Sequence, residues 1–183
     1  ELKTDEFADL YAEELKAEGG VISGEQFVDE CQVESDLELL LPATYVTGSS
    51  ERMLLYRELD SLTLDKDVED FRTRLIDRFG PIPSETEELL RIVPLRRLAA
   101  RLGAEKVFLK GGRMSLFFVS NPDSPYYQSQ AFGKVIAYMM KYTRRCDLRE
   151  QNTRRSMLVK DVKNVETAVS VLQEIVAMQV EEG

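Results

Sequence analysis

Leu75–Pro83 reads L-I-D-R-F-G-P-I-P, the end of a helix followed by an enforced exit. Upstream of it Val68, Phe71, Leu75 and Phe79 recur at spacings of three and four, which lines one face of an α-helix. The pattern predicts a core helix over 65–79. Gly80 supplies a left-handed C-terminal cap, and Pro81 and Pro83 forbid continuation.

Outward from this helix the apolar period stays near 3.6. A helix is expected over 50–62, capped by Ser49 or Ser50, with Leu55, Leu59 and Leu62 as its buried stripe. Only Thr63 and Leu64 separate it from the motif helix, so the two should lie as an antiparallel hairpin. Ser84 and Glu87 have the spacing of a capping box for a third helix. Pro94 falls inside that helix, where it removes one donor and crowds the preceding turn, so a kink or break is expected there, with the second half ending at Gly103.

Further along, the period changes to two. Lys106–Lys110 and Met114–Val119 flank Gly111-Gly112, a hairpin signal, and Asn121–Pro125 is a turn cluster. A helix running to about Tyr142 is expected to bury Phe132, Ile136, Met139 and Met140. Cys146–Glu150 and Arg154–Val159 read as a second hairpin about Gln151-Asn152. Asn164 can cap a last helix that buries Val165, Val169, Leu172 and Val176. Nearer the N-terminus, Val33 to Leu39 alternates like a strand, and Thr4–Ala17 reads as a polar helix with a narrow apolar stripe. The fold class is therefore α+β: a helical hairpin and further helices packed on a small, mainly antiparallel β-sheet.

The formal charge of −9 is unevenly placed. Residues 1–40 carry thirteen acids against Lys3 and Lys16, while the remainder is close to balance at +2. This divides the chain into an acidic leader, 1–32, and a body, 33–183. Such a leader would repel nucleic acid, or is simply a solvated helix and linker. A start on Glu1 rather than Met is expected of a fragment or processed product. No apolar run has the length of a membrane span, and the two distant cysteines, Cys31 and Cys146, suggest reduced thiols in a cytoplasm rather than a disulfide framework.

Catalytic chemistry finds little to use. The absence of histidine removes His-activated nucleophiles and the commonest metal ligand together. Two cysteines cannot form a four-ligand zinc site, and Gly111-Gly112 is too short to cradle a phosphate. Carboxylate pairs such as Asp67 with Asp70 and Glu87 with Glu88 read as solvated helix faces. The chain is expected to be no enzyme and to need no cofactor. One basic segment invites a rival reading. Lys141, Arg144, Arg145, Arg149, Arg154 and Arg155, with several tyrosines nearby, could bind nucleic acid. Alternatively, alternate strand positions expose Arg145, Arg149 and Arg155 as an ordinary charged sheet face while Cys146 and Leu148 point inward.

Together with S-S-E-R-M-L-L-Y-R-E-L at Ser49–Leu59 and L-R-R-L-A-A-R-L-G-A at Leu95–Ala104, the L-I-D-R-F-G-P-I-P string resembles the C-terminal regulatory (TRCF) domain of the bacterial transcription-repair coupling factors, the Mfd family. The resemblance runs from about Asp36 to the C-terminus and is most specific over 50–104. It implies a non-catalytic domain that folds back on an N-terminal UvrB-like module of the same polypeptide and masks the surface that recruits UvrA. RNA polymerase, DNA and ATP would be handled by other parts of the parent, a DNA translocase of nucleotide excision repair. The leader would be the tail helix of the preceding motor domain. The family pattern places acids just before R-F-G. Asp77 matches it, whereas Arg74 stands where the pattern has Glu, so Asp77, Arg78 and Arg74 are the expected docking residues.

Overall fold

Residues 27–180 are described by a computed structural model; the Thr4–Ala17 helix expected from sequence lies outside them. The chain enters through Phe27, Val28 and Cys31, which pack on the main core, and continues as strand β1 (Gln32–Ser35). Half-burial at Val33, Ser35, Leu37 and Leu39 keeps the expected period of two, although ladder pairing stops at Ser35.

Helices α1 (Ser49–Ser61) and α2 (Asp65–Phe79) form the antiparallel hairpin. The three-and-four spacing holds in α2: Val68, Phe71 and Leu75 are buried, and Gly80 ends the helix at φ 88°. The Tyr45 hydroxyl donates to the Gly80 carbonyl (2.8 Å), and its ring lies 5.7 Å from that of Phe79. These contacts hold the R-F-G turn against the segment before α1. Neither expected serine cap forms. Helix α1 begins on Ser49 itself, behind Gly48, and α3 (Ser84–Arg101) begins on Ser84 behind Pro83. In both, the serine lies one position too far into the helix to cap it. Glu87, freed from a capping box, instead pairs with Arg72 of α2. Glu88 accepts the backbone N–H groups of Val165 (2.8 Å) and Glu166 (3.0 Å). These two acids therefore hold partners and are not the solvated face expected.

Helix α3 runs through Pro94 without a break. Leu90 and Val93 belong to the core of the helical hairpin, while Leu95, Leu98 and Ala99 belong to the core under the sheet. Packing on both sides of the proline outweighs the one backbone bond it deletes. The helix ends at Arg101, and Gly103 follows at φ 86°.

Strands β2 (Ala104–Lys110), β3 (Arg113–Phe118), β4 (Cys146–Gln151) and β5 (Arg154–Val159) complete a sheet of order β1-β2-β3-β5-β4. Among the described residues only the β1–β2 pairing is parallel. The second hairpin turns about Asn152-Thr153, both at positive φ, one residue later than expected. A 3₁₀ turn (Pro125–Gln128) leads into α4 (Gln130–Lys141), and α5 (Val165–Val176) closes the described chain. Helix α4 buries Ala131, Val135 and Tyr138; Met140 is exposed. Its inner face is thus rotated by about one residue from the expected one. Asn164 caps α5 as expected, accepting from the Thr167 N–H at 2.7 Å. That helix buries Val165, Ala168, Val171, Leu172 and Ile175, with Val169 and Val176 half-buried.

Tyr126 joins α3 to the sheet. Its ring is fully buried and its hydroxyl donates to the Leu102 carbonyl. A Cβ on Gly103 would sit 2.0 Å from that ring, at a φ that already disfavours an L side chain. Gly103→Ala should therefore cost about 2 to 4 kcal/mol, the sum of the left-handed penalty and overpacking. Thermal denaturation followed by circular dichroism measures it, and an unchanged midpoint would refute the tight fit.

Candidate docking surface

The expected docking residues lie on one edge of the α1–α2 hairpin, and helix geometry explains what each one meets. Arg74 and Arg78 are four residues apart, so both reach across to α1. There Arg74 pairs with Glu58 and Arg78 with Glu51, an antiparallel register of two interhelical ion pairs. Each guanidinium also lies near an aromatic face of its own helix, Arg74 5.5 Å from the Phe71 ring centroid and Arg78 4.9 Å from that of Phe79. Asp77 is exposed and makes no ion pair among the described residues. The structure thus brings the three together, with the two arginines already engaged and the carboxylate free.

Sequence reasoning missed two neighbours. Met53 and Leu54 of α1 are 58% and 63% exposed, large values for such side chains. Leu54 lies three residues after Glu51 and four before Glu58, between the two ion pairs. The signal was present, since M-L precedes the buried Leu55 off the stripe that Leu55 and Leu59 define. Apolar residues on the solvent side of a rigid hairpin, beside a free carboxylate and two arginines, have the composition of a protein interface.

The basic segment is not brought together in the same way. Arg145 is spent on structure, donating to the carbonyls of Lys160 (2.9 Å) and Asp161 (3.2 Å). Arg155 lies 4.3 Å from the centroid of the Tyr127 ring, which packs against the main core. Arg149 and Arg154 share strand parity with Asp147, Ser156 and Leu158 on the opposite face of the sheet. Lys141 lies near Tyr142 at the end of α4, and Arg144 is exposed in the loop after it. Leu148 has the inward parity of Cys146 but is 39% exposed, because β4 is the sheet edge and the helices do not reach over it.

A cavity of about 710 Å³ lies between the α1–α2 turn, α3 and the segment at Cys31. Its chemistry is poor. Burial pushes the Cys31 thiol up to about 12, so it stays protonated and unreactive near neutrality. Arg96 and Arg97 are committed to Asp60 (2.8 Å) and Asp65 (2.7 Å). Among the described residues no cluster of three or more Cys, Asp or Glu is placed to hold a metal ion, and no helix is long and apolar enough to cross a membrane.

The chain resembles known proteins in sequence and in fold. A family model described as the TRCF domain matches residues 35–129, just over half of the chain and all of α1 to α3. The transcription-repair-coupling factor of Rickettsia bellii is 29% identical over 150 residues, 79% of this chain and 13% of that protein. That of Escherichia coli K12 is 32% identical over 78 residues, 43% of this chain and 7% of that protein. The chain therefore spans a small part of the curated relatives it matches. A crystal structure of the C-terminal domain of transcription-repair coupling factor shares the fold, with a TM-score of 0.62 over 81% of this chain and 94% of that one, at 17% identity.

The interhelical ion pairs are exposed, with side chains 35% to 58% accessible, so solvent screening leaves each little net energy. The double variant Glu51→Gln, Glu58→Gln should lower the stability of the chain by less than about 1 kcal/mol. Urea denaturation tests this, and a larger loss would make the pairs part of the scaffold.

Proposed function

We propose a regulatory role for this chain, on the premise that it belongs to the TRCF domain family. It acts as a non-catalytic domain of a bacterial transcription-repair coupling factor in the cytoplasm, docking on the N-terminal UvrB-like module of the same polypeptide and covering the surface that recruits UvrA. The acidic leader, 1–32, connects the body, 33–183, to a motor domain. ATP hydrolysis, DNA translocation and contact with RNA polymerase belong to other parts of the parent.

The observation that carries this reading is the outer face of the α1–α2 hairpin, where Leu54 lies between the Arg78–Glu51 and Arg74–Glu58 pairs and Met53, Leu54 and Asp77 are all exposed. Their burial supplies the apolar part of a docked interface. Asp77 is free to accept a charge-assisted hydrogen bond from a basic residue of the partner. Arg74 and Arg78 need not leave Glu58 and Glu51 to take part; their aliphatic stems flank Leu54 and add contact area. A clamp of this kind must be reversible. A preference on the order of 5 kcal/mol is enough to keep it almost wholly closed while leaving it open to release by motion of the motor.

In the full-length parent, Asp77→Arg should open the clamp and strengthen UvrA binding about tenfold or more, as the competent fraction rises. Leu54→Asp should act in the same direction. Pull-down or calorimetry with purified UvrA reads both. Wild-type affinity in the two variants would remove the hairpin face from the docking site.

A further inference from the structure

The sheet has a second face whose residues are scattered in sequence and gathered only by strand register. On one face Val107, Leu109, Met114, Leu116, Phe118, Met157 and Val159 join the core with α3, α4 and α5. The helical hairpin has a separate core that contains no residue of the five strands. Among the described residues the opposite face is therefore left without a helix. Two neighbouring rows of paired residues cross it. One runs Glu34, Phe108, Ser115, Leu158, Asp147; the other runs Gln32, Lys106, Phe117, Ser156, Arg149.

Phe108 and Phe117 adjoin on the central strands, ring centroids 5.3 Å apart, and neither belongs to an apolar core cluster. Around them stand Lys106, Lys110, Arg113, Arg149 and Arg154. Lys106 and Lys110 lie 5.4 and 5.0 Å from the Phe108 centroid, and Arg154 lies 5.5 Å from that of Phe117. Three acids pair with four of the five cations, and a fourth acid, Asp36, accepts from the Gly111 N–H (2.9 Å) at the hairpin tip. Glu34 is shared between Lys110 (3.5 Å) and Lys106 (4.0 Å), Asp147 is 3.8 Å from Arg149, and Glu105 is 3.4 Å from Arg154. These pairs are long and solvent-exposed, so the cations are held weakly and exchange readily for a stronger anion. Arg113, at the hairpin tip beside Lys110, makes no ion pair among the described residues.

We infer that this open face is a platform for single-stranded nucleic acid, with bases stacking at Phe108 and Phe117 and phosphates meeting the surrounding lysines and arginines. A single strand offers flat apolar bases and one negative charge per nucleotide, which complements a pair of rings bordered by cations. A duplex keeps its bases stacked internally and gives the rings nothing to engage. An acidic protein segment would satisfy the cations but not the aromatic pair. The site is distinct from the Lys141–Arg155 segment, of which only Arg149 and Arg154 reach it. It does not depend on the docking role proposed for α1 and α2.

The test is fluorescence anisotropy of the 183-residue chain with labelled oligothymidylate of about twenty nucleotides, against a duplex of equal length, over a salt series. Single-strand binding should be at least tenfold tighter than duplex binding and should weaken linearly with the logarithm of salt concentration. Phe108→Ala with Phe117→Ala should weaken it at least tenfold, with folding checked by circular dichroism. Lys106→Glu with Lys110→Glu, the first half-buried and the second exposed, should weaken it comparably and reduce the salt slope by more than about 1, with folding checked in the same way. Lys141→Glu with Arg144→Glu should leave it unchanged. No saturable single-strand binding at low salt overturns the proposal. So does binding indifferent to the phenylalanines, equal affinity for duplex, or competition by polyglutamate as effective as that by unlabelled oligonucleotide.

Discussion

Three consecutive side chains in the first turn of α3 hold three different parts of the molecule. Thr86 donates to the Leu40 carbonyl (2.9 Å), fixing the segment between β1 and α1. Glu87 pairs with Arg72 of α2. Glu88 receives the first backbone N–H groups of α5 and sits 3.1 Å from Arg91. A helix rotates about 100° per residue, so neighbours in sequence point to separate elements. The same helix then serves both cores, Leu90 and Val93 on one side of Pro94 and Leu95, Leu98 and Ala99 on the other. With α3 broken at the proline, hairpin and sheet would have no common axis. The continuity of this helix sets the position of every surface discussed above.

What could be read in the sequence was what depends on near neighbours. The bounds of α2 followed from the spacing of Val68, Phe71, Leu75 and Phe79 and from the stop at Gly80. The Gly111-Gly112 hairpin and the Asn164 cap followed from turn and cap chemistry. Pro94 was misread because propensity says nothing about two cores gripping the same helix. Ser84 was misread because a capping box and the first turn after a proline differ by one residue. Met140 looked like a core residue by spacing, yet the buried face of α4 is set by Tyr138 and Val135.

The candidate sites separate along the same line. Arg74, Asp77 and Arg78 could be named because they sit within one helical turn of each other in a distinctive string. Their partners Glu51 and Glu58, and the exposure of Leu54 between them, required the register of the hairpin. The Phe108–Phe117 pair could not be foreseen at all, since its cations come from four strands whose order, β2-β3-β5-β4, is not the order of the chain. A basic run in sequence proved a poor guide to a basic face, because alternation along β5 sends Arg154 and Arg155 to opposite sides of the sheet.

The parallel strand β1 differs from its companions in how it is attached. Its residues pair with others some 74 positions away, and all of α1, α2 and α3 lie in the intervening loop. The other strands are tied by tight hairpins or by a connection that α4 folds locally. Closing so long a loop is entropically the most demanding step in the sheet, and four residues of ladder return little for it. Loop-closure entropy alone would place β1 last in assembly and first in partial opening. Release of β1 would expose the edge of β2 and uncover the core side chains Val28 and Cys31 that enter with it, while the β2-β3-β5-β4 ladder itself loses no pairing.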